Sequence, residues 1–429
     1  MHPQKVPLLV VVALAGALAC GEADERPAAP EAGAAAPAEA TARPASAAAP
    51  ADLAQGLALA LSTFEKGADG KPVPRSELMV LTRSGGQWHA RSYTDPDSNV
   101  FHKAFAWTPP GAEPALVTLG GSAAAVKLWR KGEAGLAPVE TLWQVDFGGK
   151  FSRMRDGEAS DLDGDGQGEL VIATHDQGVV AILRPRPGAE TEVVELDRQA
   201  DIFVHEVEIG DVDGDGTPEV YTTPSEPNRL DGSAQHGEVV RYVPGKGEGR
   251  KEVADLGTRH AKEILVSDVD GDGRDELYVS VEAAEGGSVE VRRYEADTDP
   301  KAGRVVATLY DPMARFLTAG DVDGDGRREL VVAAKDTGLW LLRAGADPKA
   351  AWRSELIDAH SKGFEHAALL ADLDGDGVAE LYVASDDDKE VRRYAWDGQR
   401  LAREVIHQRS DPLPVLTWNL APVPRALVE

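Results

Sequence analysis

The stretch Asp161-Leu162-Asp163-Gly164-Asp165-Gly166-Gln167-Gly168-Glu169 decides how the rest of this 429-residue chain is read. Its carboxylates stand at positions 1, 3, 5 and 9, and a glycine at position 6 lets the chain turn sharply enough for them to converge. The pattern returns four times, at Asp211, Asp213, Asp215 and Glu219, at Asp268, Asp270, Asp272 and Glu276, at Asp321, Asp323, Asp325 and Glu329, and at Asp372, Asp374, Asp376 and Glu380. The starts lie 50, 57, 53 and 51 residues apart, which is the signature of a repeat architecture. Each copy follows a half-apolar stretch such as 316–320 and precedes a β-rich run such as Leu330-Val-Val-Ala-Ala334, so the motif is a loop between two strands.

Tight turns alone would use Asp and Gly. They would not require three alternating aspartates and a glutamate at one spacing five times over. Four carboxylates in so small a space repel, and a divalent cation is the simplest compensation. Hard oxygen ligands suit Ca²⁺, about five ions in all, with the position-7 carbonyls of Gln167, Thr217, Arg274, Arg327 and Val378 as further candidate ligands. No Cys or His recurs in the loop, which disfavours zinc and copper. An EF-hand needs an acidic residue at position 12, where this chain has Ile172, Thr222, Val279, Val332 and Val383.

The Asp-x-Asp-x-Asp-Gly-x-x-Glu loop at a period of about fifty resembles the FG-GAP or VCBS repeats of calcium-bearing β-propellers, including the integrin α-subunit head. The resemblance implies an all-β propeller of four-stranded antiparallel blades, each loop joining the innermost strand to the next. Glu at position 9 departs from the Asp usual in the integrin version. Columns within the sequence set the blade number. An arginine ends the third strand of every repeat, at Arg83, Arg130, Arg184, Arg241, Arg293, Arg343 and Arg393, which makes seven blades and suggests blade-to-blade braces. Five inner strands precede acidic loops, and a sixth, 100–107, leads into a loop-free turn at 108–113. The seventh is expected around 411–417, where Asp411-Pro-Leu-Pro parallels Asp311-Pro-Met-Ala, so the C-terminus supplies the inner strand of a blade whose outer three strands come from 57–93. Such closure removes exposed sheet edges.

Before the propeller, two segments read differently. Residues 1–19 have a weakly basic start and an apolar run from Val6 to Ala19, too short to span a bilayer, and read as a signal peptide. Ala17-Leu18-Ala19-Cys20 resembles the lipobox of bacterial lipoproteins, which implies lipidation of Cys20, the chain's one cysteine. Gly21 after it resembles the outer-membrane-sorted pattern. Residues 20–52 are an Ala/Pro-rich tether, with fifteen Ala and five Pro between 23 and 52, unable to bury enough apolar surface to order itself. The propeller proper occupies 53–429. A net charge of -28 argues against nucleic acid as a partner, since phosphate binding needs a basic stripe.

One further column runs against that acidity. Six residues before each first aspartate stand Arg155, His205, Lys262, Arg315 and His366, with Lys103 at the comparable place in the loop-free strand. Inner strands line the central channel in this architecture, so these groups form either an anion-binding ring or a set of structural pairs with neighbours such as Asp156, Glu206 and Glu263. No nucleophile elbow, phosphate-cradling loop or zinc-protease helix is found. Eight tryptophans are scattered and make no once-per-blade sugar pocket. The expectation is an exported, lipid-anchored, monomeric propeller on a bacterial outer membrane or cell surface, a non-catalytic scaffold for a protein or polysaccharide ligand. The alternative is an enzyme of lyase or phosphoesterase type acting on anionic substrates at the basic ring.

Overall fold

The computed structural model describes Leu53 and residues 55–429, apart from 149–151, 176, 187, 225–227, 230, 284–286 and 365. The expected leader, Cys20 and tether lie outside the described residues. The described chain forms seven four-stranded antiparallel sheets arranged as blades. Blades 1 to 6 begin with inner strands Phe101–Trp107, Met154–Ser160, Val204–Gly210, Ala261–Ser267, Ala314–Gly320 and Ala367–Ala371. Each then runs outward in sequence order.

The second strands show why the blades stack. Glu169–Thr174, Glu219–Pro224, Glu276–Val281, Glu329–Ala334 and Glu380–Ser385 are buried along their whole length, because both faces meet a neighbouring blade. That is why they read as short continuous β-branched and aliphatic runs. The outermost strands, such as Arg353–Asp358, are exposed to half-buried and mix charged with apolar residues. Apolar clusters accordingly lie between blades rather than within them. Val171, Ile182 and Leu162 of blade 2 meet Val207, Val220 and Tyr242 of blade 3, and the pattern repeats around the ring. The apolar residue at position 2 of each acidic loop, Leu162, Val212, Val269, Val322 or Leu373, is buried in one of these seams. Each loop is thus plugged into the core by its own second residue.

Closure follows the sequence reading in topology but not in register. Blade 7 consists of Leu416–Pro424, Gln55–Lys66, Pro72–Ser84 and Gln87–Tyr93 in that spatial order. The inner strand therefore lies mostly beyond the expected 411–417, and Trp418 and Asn419 sit inside it. Pro412 and Pro414 explain the shift, since neither has an N–H to give to a ladder. Leu420 and Val423 fill the seams on either side, and a last turn, Arg425–Val428, buries Val428 against blade 1.

Around the axis, side chains of one inner strand bond to backbone N–H groups of the next. Asp156 accepts from Val207 at 2.8 Å, Glu208 from Val266 at 3.1 Å, Glu263 from Leu317 at 3.0 Å, Thr318 from Leu370 at 3.0 Å, and Asn419 from Ala104 at 3.2 Å. Inner strands of adjacent blades are too splayed to pair as a sheet, so their inward N–H groups would otherwise be orphaned in a buried channel. The polar residues satisfy them and fix blade against blade.

Candidate functional site: the acidic loops and the channel mouth

Every acidic loop joins a first strand to a second, so all five emerge at one end of the ring. Their backbone turns twice through positive φ, at Gly164 and Gly166 with φ of 77° and 84° and at the equivalent pairs in the other loops. The first aspartate anchors the turn: Asp161 accepts from the N–H groups of Gly164 at 2.8 Å, Asp165 at 3.1 Å and Gly166 at 2.8 Å. Asp268 and Asp372 repeat the three bonds. Oδ1 of Asp161 takes two of these bonds and Oδ2 one, so Oδ2 retains a lone pair for a further partner.

The structure brings the expected ligands together in part. Oxygens of Asp268, Asp270, Asp272 and Glu276 lie within 4.8 Å of one another, as do those of Asp161, Asp163 and Glu169, with Asp165 standing outside that cluster. In the other three loops the three aspartates converge, Asp211 with Asp213 and Asp215, Asp321 with Asp323 and Asp325, and Asp372 with Asp374 and Asp376, while Glu219, Glu329 and Glu380 stand outside the cluster. Donor chemistry fits a hard cation at all five places, with carboxylate oxygens and no sulfur or nitrogen.

The position-9 glutamate has a second duty that its place in the pattern did not disclose. It is buried in all five loops, between 1 and 6 % exposed. One carboxylate oxygen accepts the N–H of position 2, as in Leu162 to Glu169 at 2.9 Å and Val322 to Glu329 at 3.1 Å. The other meets the third-strand arginine: Arg184 to Glu169 at 3.4 Å, Arg293 to Glu276 at 3.2 Å, and Arg241 to Glu219, Arg343 to Glu329 and Arg393 to Glu380. Tyr221, Tyr278 and Tyr382 donate their hydroxyls to the same carboxylates. Burial pushes Glu276, Glu329 and Glu380 up to about 7 even against these arginines.

The arginine column is therefore corrected. In the five looped blades it ties the third strand to the loop of its own blade, reaching Asp270 at 2.6 Å from Arg293 and Asp323 at 2.8 Å from Arg343. Two of the column reach a neighbouring blade as well: Arg83 pairs with Glu404 at 3.4 Å, and the Arg343 guanidinium lies over the Trp396 ring at 5.9 Å. An arginine's reach from the end of strand three matches the distance to the loop between strands one and two, which a list of columns does not reveal. The Glu-x-Tyr spacing, seen three times, was the legible trace of this arrangement.

At the opposite end, where the inner strands begin, the basic column is largely buried. Lys103, Arg155, His205, Lys262, Arg315 and His366 are 0 to 9 % exposed. Lys103 forms ion pairs with Asp156 at 2.9 Å and Glu158 at 2.7 Å of the next blade, and although burial opposes its charge, these carboxylates hold it protonated. His366 lies between the Ser361 hydroxyl at 2.7 Å and the Ala334 carbonyl at 3.2 Å, and burial pulls it down to about 4. The Ser361–His366 pair is sealed from solvent, which removes it as a nucleophile. Glu206 and Glu263 are raised, first by burial and then by neighbouring carboxylates, and Glu208 is pushed up to about 8 in the same way. A cavity at this end is lined by Arg155, His205, Arg315, Glu206, Phe316 and Trp418, among others.

Three stretches, 161–222, 268–332 and 321–383, match the model of the FG-GAP-like repeat. No protein of curated function matches the sequence. Among solved structures, the periplasmic gluconolactonase of Pseudomonas aeruginosa aligns over 86 % of this chain and 99 % of its own, at 16 % identity with a TM-score of 0.52. A putative 6-phosphogluconolactonase of Bacteroides fragilis covers 86 % and 98 %, at 14 % identity and 0.47. At such identities the likeness is one of fold.

Proposed function

From the premise that this chain is a seven-bladed β-propeller of FG-GAP-like repeats, we propose that it is an exported, Ca²⁺-stabilised binding scaffold, held to a bacterial membrane surface through Cys20, that presents one ligand-binding face to a polysaccharide or protein. The observation that carries the reading is the set of five carboxylate clusters at one end of the ring. The converging aspartates of each loop, Asp161 and Asp163 in the first and all three in the others, would hold the ion, joined by Glu169 and Glu276, and the ion would supply charge neutralisation and a rigid loop. Extracellular sites of this kind bind with dissociation constants of roughly 0.1 to 1 mM, so calcium in the surrounding medium would fill them.

Two experiments test the reading. Mass spectrometry of membrane-extracted protein should find a diacylglyceryl-modified Cys20 at the N-terminus, and an unmodified or uncleaved N-terminus would remove the anchor. A glycan array and a surface-protein pull-down, run with the calcium-loaded chain and again after chelation, should find a calcium-dependent ligand. The second reading, an enzyme at the channel mouth, is supported by the cavity beside Arg155. Release of products from a uronate polymer or phosphoester by the purified chain would favour it over the scaffold.

A further inference from the structure

We propose that the channel mouth opposite the acidic loops binds a uronic-acid carboxylate of an acidic polysaccharide, with Arg155 as its principal anchor. This rests on the scaffold reading and names its ligand class. The cavity there has about 30 Å³ of free space, room for one small anionic head or a pair of waters rather than a whole sugar.

Arg155 is 7 % exposed, and its guanidinium Nη2 lies against the His205 ring, 2.8 Å from Nε2 and 3.1 Å from Nδ1. His205 Nδ1 lies 2.9 Å from the Lys262 carbonyl, so Nδ1 carries the ring proton and Nε2 accepts from Arg155. The imidazole is thus neutral, in keeping with a pKa far below the usual value through burial and the charges of Arg155, Lys262 and Arg315. A guanidinium oriented by a neutral ring keeps its charge for another partner. Its Nε is buried without any hydrogen-bond acceptor, a costly state that an incoming oxygen network would relieve. The Trp418 ring, 5.4 Å from its Cζ, holds it in place from the closing strand.

The carboxylates lining the cavity do not supply that partner. Asp156 is committed to Lys103 and to the Val207 N–H, and Glu263 accepts from Leu317. Burial, and then the neighbouring Asp156 and Glu263 carboxylates, raise Glu206 well above the usual carboxylate range, which weakens it as a counter-charge to Arg155.

Two observations favour a saccharide over a peptide. Along the channel the inner-strand N–H groups of Ala104, Val207, Val266, Leu317 and Leu370 are already taken by side chains of the next blade, which closes those positions to a peptide backbone. The cavity is instead lined by the aromatic side chains of Phe316 and Trp418, and Phe364, 45 % exposed, stacks on its lining Arg315 at 4.3 Å. Flat rings beside a cation suit a pyranose carrying a carboxylate.

The test is calorimetric titration of the calcium-loaded full chain with trigalacturonate, an alginate trisaccharide, the methyl ester of trigalacturonate and an oligo-aspartate peptide. At least one free uronate should bind, the ester should not, and Arg155→Met should weaken binding about tenfold or more while Arg155→Lys retains part of it. Because Arg155→Met removes a buried charge, the Arg155 Nε–H resonance of the unsubstituted protein is followed as well and should shift on adding the saccharide. Equal binding by the ester or by Arg155→Met, an unmoved resonance, or binding of the peptide alone overturns the proposal. A ligand found elsewhere on the molecule would then leave the scaffold reading standing, whereas no ligand in any screen would remove both.

Discussion

Blades 2 to 6 and blade 1 place an arginine at the same point of the third strand and give it different work. In the looped blades it meets a buried glutamate and, in several, an aspartate of the acidic loop. In blade 1, where the turn at 108–113 carries no acidic pattern, Arg130 donates instead to the carbonyls of Glu113 and Pro114. The arginine therefore belongs to the blade, as a strut between its third strand and its first turn, and the acidic loop is an addition built around it. The difference also counts charge. One guanidinium faces four carboxylates in a looped blade, which leaves an excess that a divalent ion would settle, and blade 1 has no such excess.

Removing the strut should hurt the two kinds of blade unequally. Arg393→Met leaves Glu380 buried without its ion-pair partner and is expected to cost about 3 to 5 kcal/mol of unfolding free energy in calcium-free buffer. Arg130→Met loses only hydrogen bonds to carbonyls near the surface, about 1 kcal/mol. Urea denaturation of both variants measures the pair, and equal losses would mean that the arginine does the same thing in every blade.

A second contrast lies along the axis, between the ring's acidic loops and its buried channel. Glu206, Glu208 and Glu263 are raised in the folded chain, and they face Asp156, Glu158 and Lys103, with Arg155 and His205 above them. A carboxyl whose pKa is higher folded than unfolded stabilises the fold fully below about pH 4.5 and loses that contribution as pH rises through the folded value, about 8 for Glu208. Melting temperature at constant calcium should therefore fall between about pH 4.5 and about pH 8, and Glu206→Gln should flatten the slope. A slope unchanged by Glu206→Gln would place the titrating groups elsewhere.

The smallest effect joins the loop-free blade to its looped neighbour. The Trp107 indole N–H donates to the Gly168 carbonyl of the first acidic loop at 3.2 Å, and Trp107→Phe should lose about 1 kcal/mol of stability. If the bond also braces the ion site, calcium affinity of that one loop should drop while the other four stay unchanged.

Much of this was legible because the repeat puts each duty in a column. The period, the Asp and Gly positions and the arginines gave seven blades and the closing arrangement, since a propeller must bury both faces of each inner sheet. The columns failed where a side chain acts across space rather than along the strand. Arg293 and Glu276 are seventeen residues apart and meet only because the blade folds back, and Glu208 reaches Val266 across a blade boundary. The shift of the last strand to 416–424 was readable from Pro412 and Pro414, but the likeness to Asp311-Pro312 drew the boundary too early. The basic column was legible as a column, and its burial was not, because Lys103 owes its place to Asp156 and Glu158 on the next blade.

The central claim is that the five loops hold Ca²⁺ and that the fold depends on it. The direct measurement is calcium content and melting temperature on one sample, dialysed against millimolar Ca²⁺ or against chelator. The account predicts about five ions per chain and a melting temperature lowered substantially by chelation, since every filled site stabilises the folded chain by mass action. A chain that melts at the same temperature in both buffers and carries no bound calcium would contradict it, and would leave the arginine struts alone to hold the acidic loops.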